Sequence, residues 1–303
     1  MGRVVVVGSY NVGLTIVGSE LPLPGQTVLG HTFDIGPGGK GSNQAIGVAR
    51  LGADITLVVK LGSDRFADDA RGLFEREGLL GSGIMRADTH TGVGLILVDE
   101  LGRNMISVAP GANAQLSAAD LDGLEGLFEG AGHLLCQLEA PPELFVAAAR
   151  AARTAGATTI LNPAPARPLP EEALRLADIL TPNQTELGVL THLPPESDDQ
   201  VHRAATVLLE KGVGEVVVTL GDRGALWARP DGSQPFPAHQ VKARDTTGAG
   251  DAFNAGLTAA LARGDGMAEA IALGMRAGAF CVTRLGVIDG LPTPAQLDQE
   301  VPA

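Results

Sequence analysis

Aromatic side chains are scarce in this 303-residue chain, where Phe, Trp and Tyr together make up 3%. Stacking platforms for single-stranded nucleic acid are built from such residues, so that class of function is disfavoured. Lysine is scarcer still: Lys40, Lys60, Lys211 and Lys242 are the only four. The formal net charge is −13, which argues against sequence-independent binding to phosphate polymers. An anionic substrate must therefore be held by a local site and not by the overall field. Only two cysteines occur, Cys136 and Cys281, both in apolar runs. They read as free buried thiols in a reducing compartment, not as a disulfide framework. No apolar stretch reaches the roughly 18 residues of a membrane span. The opening MGRVVVVGSY is a short β-type run without the long apolar core of a secretory signal. These absences lead us to expect a cytoplasmic chain with neither a membrane nor a nucleic-acid partner.

Glycine, by contrast, is abundant at 41 residues, as many strand-to-helix turns require. The β-branched run Val4–Val7 suits a strand buried on both faces. Residues 11–35 alternate and carry turn signals, which reads as a half-exposed hairpin. Residues 92–98 and 104–109 form a second hairpin around Asp99-Glu100-Leu101-Gly102. Elsewhere strands alternate with helices. Helices are expected at 43–51, 68–77, 118–129, 142–155, 171–177, 184–191, 199–211, 249–263 and 267–283. Strands are expected at 55–59, 133–138, 157–161, 178–181 and 215–220. Short strands with turns follow within 224–242. This order predicts an α/β fold, a three-layer α/β/α sandwich with a mostly parallel central sheet. The two hairpins, about 11–35 and 89–110, stand apart from it as a small β-sheet lid. We expect 1–303 to form a single domain with that lid.

Two glycine-rich stretches stand out. In DTTGAGDAFNAGL (245–257), small residues lead into a helix that opens near Ala249. A helix N-terminus offers unpaired N–H groups and partial positive charge, so Gly248, Ala249 and Gly250 could hold an anion. Asp251 lies in the first turn, where a carboxylate would repel phosphate unless it takes a proton from an attacking hydroxyl. A plain tight turn, with Asp251 opposing the helix dipole, explains the same letters. In GPGGKGSNQAIGVARLGA (36–53), glycines precede a helix, and Lys40 and Asn43 supply a cation and an amide suited to hydroxyls. A flexible turn and cap is the alternative. The stretch is neither a Walker A loop nor a GxGxxG turn after the first strand, which disfavours a nicotinamide-dependent oxidoreductase. The six histidines show no metal-ligand spacing.

Taken together, these stretches resemble the two signatures of the ribokinase-like (PfkB-type) carbohydrate kinases. VVVGSYNVGL, GAN (111–113), LNPAPA (161–166), TPNQTE (181–186), VTLGDRGAL (218–226) and VTRLG (282–286) match in order across essentially the whole chain. The resemblance implies transfer of the γ-phosphoryl of ATP to a sugar hydroxyl, first of all D-ribose to D-ribose 5-phosphate. It makes Asp251 the catalytic base and Gly248, Ala249 and Gly250 the anion hole. It assigns Asn11, Gly39, Lys40, Asn43 and Glu139 to the sugar. It assigns Asn183, Thr219, Gly221, Asp222 and Gly224 to ATP, with Glu186 acting indirectly on Mg²⁺. Asp245, Thr247, Cys281, Arg284 and Gly286 match a monovalent-cation site, expected to take K⁺, several of them through carbonyls. Gly290 stands where the family often has a serine ligand. A homodimer through the lid is also implied. One departure concerns substrate choice: the family's Asn-x-Asp after the first strand reads Asn11-Val12-Gly13 here. Losing that carboxylate should alter polyol recognition. A fructokinase, a keto-deoxy sugar acid kinase and a nucleoside kinase therefore remain alternatives. A non-catalytic sugar or nucleotide sensor is a reading of another class.

Overall fold

The valine run becomes β1 (Arg3–Val7), near the middle of a nine-stranded sheet, in a computed structural model that describes residues 2–301. The next strands are β2 (Asn11–Gly18), β3 (Gly30–Gly38), β4 (Ile55–Leu61), β5 (Ile84–Arg86), β6 (Gly92–Val98) and β7 (Asn104–Ala109). They are followed by β8 (Ala131–Cys136), β9 (Thr158–Leu161), β10 (Ile179–Leu180), β11 (Glu215–Thr219), β12 (Ala225–Arg229) and β13 (Gly232–Phe236). The large sheet runs β13-β12-β11-β10-β9-β8-β1-β4-β5. It is parallel from β11 to β5, and antiparallel only where β12 and β13 join.

Side chains alternate along β1, and each set builds its own core. Val4 and Val6 pack with helices α1 (Lys40–Arg50) and α2 (Arg65–Arg76) on one face. Val5 and Val7 face the opposite layer, which includes α3 (Ala118–Asp122), α4 (Pro142–Thr154), α5 (Glu171–Leu176), α6 (Gln184–Thr191) and α7 (Asp198–Glu210). Helices α8 (Ala249–Arg263) and α9 (Met267–Cys281) complete the first layer, and α10 (Pro294–Glu300) packs beside them. This is the three-layer sandwich that the alternation predicted. Among the described residues, no helix is long and apolar enough to cross a membrane.

The lid is a separate four-stranded sheet in the order β3-β2-β6-β7. β2 pairs antiparallel with β3 but parallel with β6, so the two hairpins join through their inner strands. The outline differs from expectation in several places. α1 begins three residues early, at Lys40, which brings the lysine into the helix's first turn. α2, too, begins three residues early, at Arg65. The helix expected at 118–129 stops at Asp122, with Gly123 as its C-cap, and positive φ at Gly126 and Gly130 turns the chain beyond it. β3 extends to Gly38, past the expected edge of the lid. β5 and α10 were not foreseen, being too short for a periodic signal.

Candidate active site

Ligands on open parallel sheets bind beyond the carboxyl ends of the strands. Here five neighbouring strands end in polar and glycine residues, several of them singled out from the sequence. Ser9 and Asn11 follow β1; Gln137 and Glu139 follow β8; Asn162 follows β9. Thr181 and Asn183 follow β10, and Gly221 and Asp222 follow β11. Two helix N-termini meet this rim. α1 and α8 can lie close because Gly47 has no side chain: a Cβ there would stand 2.5 Å from that of Ala255. The caps of both helices are glycines with positive φ, Gly39 at 93° and Gly248 at 82°. Larger residues there would be strained.

Asp251 is buried where these helices meet. Its Oδ2 accepts a hydrogen bond from Asn43 Nδ2 at 2.8 Å, and its Oδ1 accepts one from Gln44 Nε2 at 2.9 Å. Gln44 is itself held. Gln137 Nε2 donates to its Oε1 at 2.6 Å, and Gln44 Nε2 also reaches Asn162 Oδ1 at 3.1 Å. A second chain runs from Thr181 Oγ1 to Asn254 Oδ1 at 2.6 Å, and from Asn254 Nδ2 to the Gly250 carbonyl at 2.8 Å. The carboxylate is thus oriented by two buried amides of α1, one of which is held by amides from two further segments. Asn43 Oδ1 is buried and has no hydrogen-bond partner among the described residues. Of the expected anion hole, the Ala249 N–H already donates to the Thr246 carbonyl at 3.3 Å. Gly250 faces open space.

On the lid side, Glu139 Oε2 gathers three donors: Ser9 Oγ at 2.5 Å, the Lys40 backbone N–H at 2.8 Å and Asn11 Nδ2 at 3.2 Å. Asn11 Oδ1 in turn accepts from Asn113 Nδ2 at 2.9 Å. Burial works against the charge on Lys40, but Asp251, Glu139 and Glu186 outweigh it and raise its pKa. Glu186 moves the other way from an ordinary carboxylate: burial raises its pKa, against the Asn183 N–H and Lys40. Glu186 and Asn183 form a reciprocal capping box on α6, with both bonds at 2.8 Å. The motif is therefore also a structural helix start.

A cleft of about 580 Å³ opens at the start of α8. It brings together Asn183, Thr219, Gly221, Asp222, Gly224, Ala249 and Gly250. The family model for pfkB carbohydrate kinases matches residues 1–294. The chain belongs to this family. It is 37% identical to a ribokinase from Haemophilus influenzae, over 95% of this chain and 94% of that protein. It is 38% identical to a bifunctional ribokinase/ribose-5-phosphate isomerase A from Fructilactobacillus sanfranciscensis, over 86% of this chain; that alignment spans only 49% of the longer relative. A ribokinase from Arabidopsis thaliana, solved with ribose and ATP, superposes with a TM-score of 0.90 at 30% identity, covering 98% of each chain.

The residues expected from the sequence to hold a monovalent cation in this pfkB-family kinase are also brought together. Asp245 Oδ1 accepts from the Thr247 N–H at 2.9 Å and Oδ2 from the Gly286 N–H at 3.2 Å. Burial opposes ionisation of Asp245, but these donors prevail and lower its pKa. The Cys281 thiol points at the Thr247 carbonyl, 3.5 Å away, and burial pushes its pKa up to about 12. The Arg284 side chain turns away, onto the Phe280 ring and Glu300. A Cβ at Gly290 would stand 3.2 Å from the Gly286 and Val287 carbonyls and 2.8 Å from Cys281 Sγ, so glycine keeps this cradle open.

Sequence reasoning missed Gln44, Gln137 and Asn162. Their signal was available, since each is a polar residue at the end of an apolar strand or in the first turn of a helix. It also missed His239, Gly274 and Met275 in the cleft wall. No local pattern marks those three.

Proposed function

We propose that the chain phosphorylates a sugar hydroxyl with ATP, converting D-ribose to D-ribose 5-phosphate. The observation that carries this reading is the placing of Asp251, clamped by Asn43 and Gln44 between the Lys40–Glu139 side and the cleft of Gly221–Gly224 and Gly250. In this reading Asp251 is the base. The sugar hydroxyl oxygen attacks the γ-phosphorus, its proton passes to Asp251, and the bond to the β-phosphate oxygen breaks to release ADP. The first-turn N–H groups of α8, from Gly248, Ala249 and Gly250, stabilise charge on the moving phosphoryl. Asn11, Gly39, Lys40, Asn43 and Glu139 hold the sugar, with Gly13 beside them. The orphaned Oδ1 of Asn43 suits a sugar hydroxyl donor. Asn183, Thr219, Gly221, Asp222 and Gly224 hold the nucleotide. Likeness to relatives named ribokinase supports ribose as the first substrate.

The donor sets also fit the implied ions. Mg²⁺ prefers phosphate oxygens and water to an all-protein cage, so one buried carboxylate, Glu186, suffices to act through water. When bound, it neutralises charge between the phosphates. Asp245, with carbonyls of Thr247, Cys281, Arg284 and Gly286, offers the hard oxygen ligands of a monovalent cation such as K⁺. The lid face opposite Asn11 exposes Ile16, Phe33, Ile35, Leu95 and Met105. Such an apolar patch on a small sheet suits a second lid, and we place a homodimer there. With its lid, the chain acts as one kinase domain.

The test is coupled ADP release by the purified protein with pentoses, hexoses and nucleosides, with and without K⁺. Turnover highest with ribose and stimulated by K⁺ is expected. A preference for a nucleoside or ketohexose would move the assignment within the family. Sugar binding without ADP release would favour a sensor.

A further inference from the structure

The face of the lid turned toward the site carries a row without side chains. Gly13 of β2 is in register with Gly36 of β3 on one side and Gly94 of β6 on the other. Residues in register share a face, as do alternate residues along one strand. Asn11, on the same face of β2, reaches Glu139, so this face looks into the site. The resemblance to sugar kinases places a carboxylate at position 13, and none is there. In the next row on this face, Asp34 of β3 lies opposite Thr15. The Asp34 side chain leans back over the empty row: its Oδ2 is 3.6 Å from where a Cβ would stand at Gly36. Asp34 is exposed. In-register strands lie about 5 Å apart, so the carboxylate is displaced by roughly one strand from the expected place.

We infer that Asp34 is the carboxylate that reads substrate hydroxyls from the lid, reaching across the glycine row from the neighbouring strand. The inference rests on the sugar-kinase reading. A group in the lid faces the sugar from the side away from Asp251. It therefore acts on hydroxyls remote from the reacting one and governs binding more than chemistry. The ligand class is a polyhydroxylated sugar that presents donor hydroxyls to the lid. The opposing view is that Asp34 only guards an edge, since β3 is an edge strand and charges there discourage pairing with other chains.

Kinetics of the full chain separate the two views. Asp34→Ala is expected to raise KM for the sugar at least about tenfold, the loss typical of a hydrogen bond to a charged group. Its kcat should stay within about twofold, and KM for ATP should not move. Adding Gly13→Asp to that variant should restore sugar KM to within about threefold of the parent. A Cβ at Gly13 meets only Ile96 Cδ1 at 3.5 Å and the Gly36 carbonyl at 3.6 Å, so the strand accepts it. A sugar KM within twofold of the parent in Asp34→Ala overturns the inference while the kinase reading stands. Failure of the parent itself to release ADP with any sugar overturns the kinase reading, and the inference falls with it.

Discussion

Asp251 and Asp34 are carboxylates on two sides of the same site, and they are held in opposite ways. Asp251 is buried, with a donor on each oxygen and a relay of amides behind those donors. Asp34 stands exposed on an edge strand, over a row of glycines. A base must keep one geometry through the reaction, so positioning by many buried groups is worth its desolvation cost. A recognition group on an exposed sheet can be looser and still select. In the proposed reading the chemistry is carried by the sandwich and the choice of sugar by the lid. Changes on the two sides should separate kcat from KM.

The sharpest break comes from Asp251→Asn. We expect turnover to fall by about 10²-fold or more, the usual contribution of a general base. The fold should persist, because Asn43 can rotate its unpaired Oδ1 toward the new amide. Single-turnover kinetics with a sugar-binding titration check both halves; near-normal turnover would remove Asp251 from its role. Next is Gln44→Leu, which keeps the volume but deletes the donor to Asp251. A fall in kcat of about tenfold is expected, since a hydrogen bond to a charged group is lost, with sugar KM changed much less. If KM moves and kcat does not, Gln44 belongs with the recognition side and the contrast blurs. The smallest kinetic effect is expected from Phe33→Asp on the outer face of the lid. It should split the dimer in sedimentation while raising sugar KM only a few-fold. A mass unchanged from the parent would disprove pairing through that face.

Much of this was legible in the chain itself. The alternation of Val4–Val7 with later strand and helix periods predicted the sandwich. Glycines before two helices predicted two cradles with Asp251 in the first turn of one. These are short-range signals, because a positive φ or a helix start depends on a few neighbouring residues. The relay behind Asp251 was not legible. It joins residues 44, 137, 162 and 251, and nothing local tells a polar residue at a strand end which partner it will meet. The helix at 118–129 was overread at its end: helical residues stop at Asp122, and Gly126 turns the chain beyond it.

The departure at Gly13 shows the division most clearly. From the sequence alone it is one missing carboxylate, and it leaves the choice of sugar open. Pairing of β2 with β3 and β6 turns it into a row of three glycines, and puts Asp34 on the face where the missing group would have acted. The sequence by itself determined the sandwich order, the two glycine-led helix starts and the residue types available for catalysis, because these depend on contacts between near neighbours. Strand register, the face each side chain occupies and the partners of buried amides were decided only by the tertiary structure, because they join segments tens to hundreds of residues apart, and a shift of one residue in register would have turned Asp34 to the other side of the sheet.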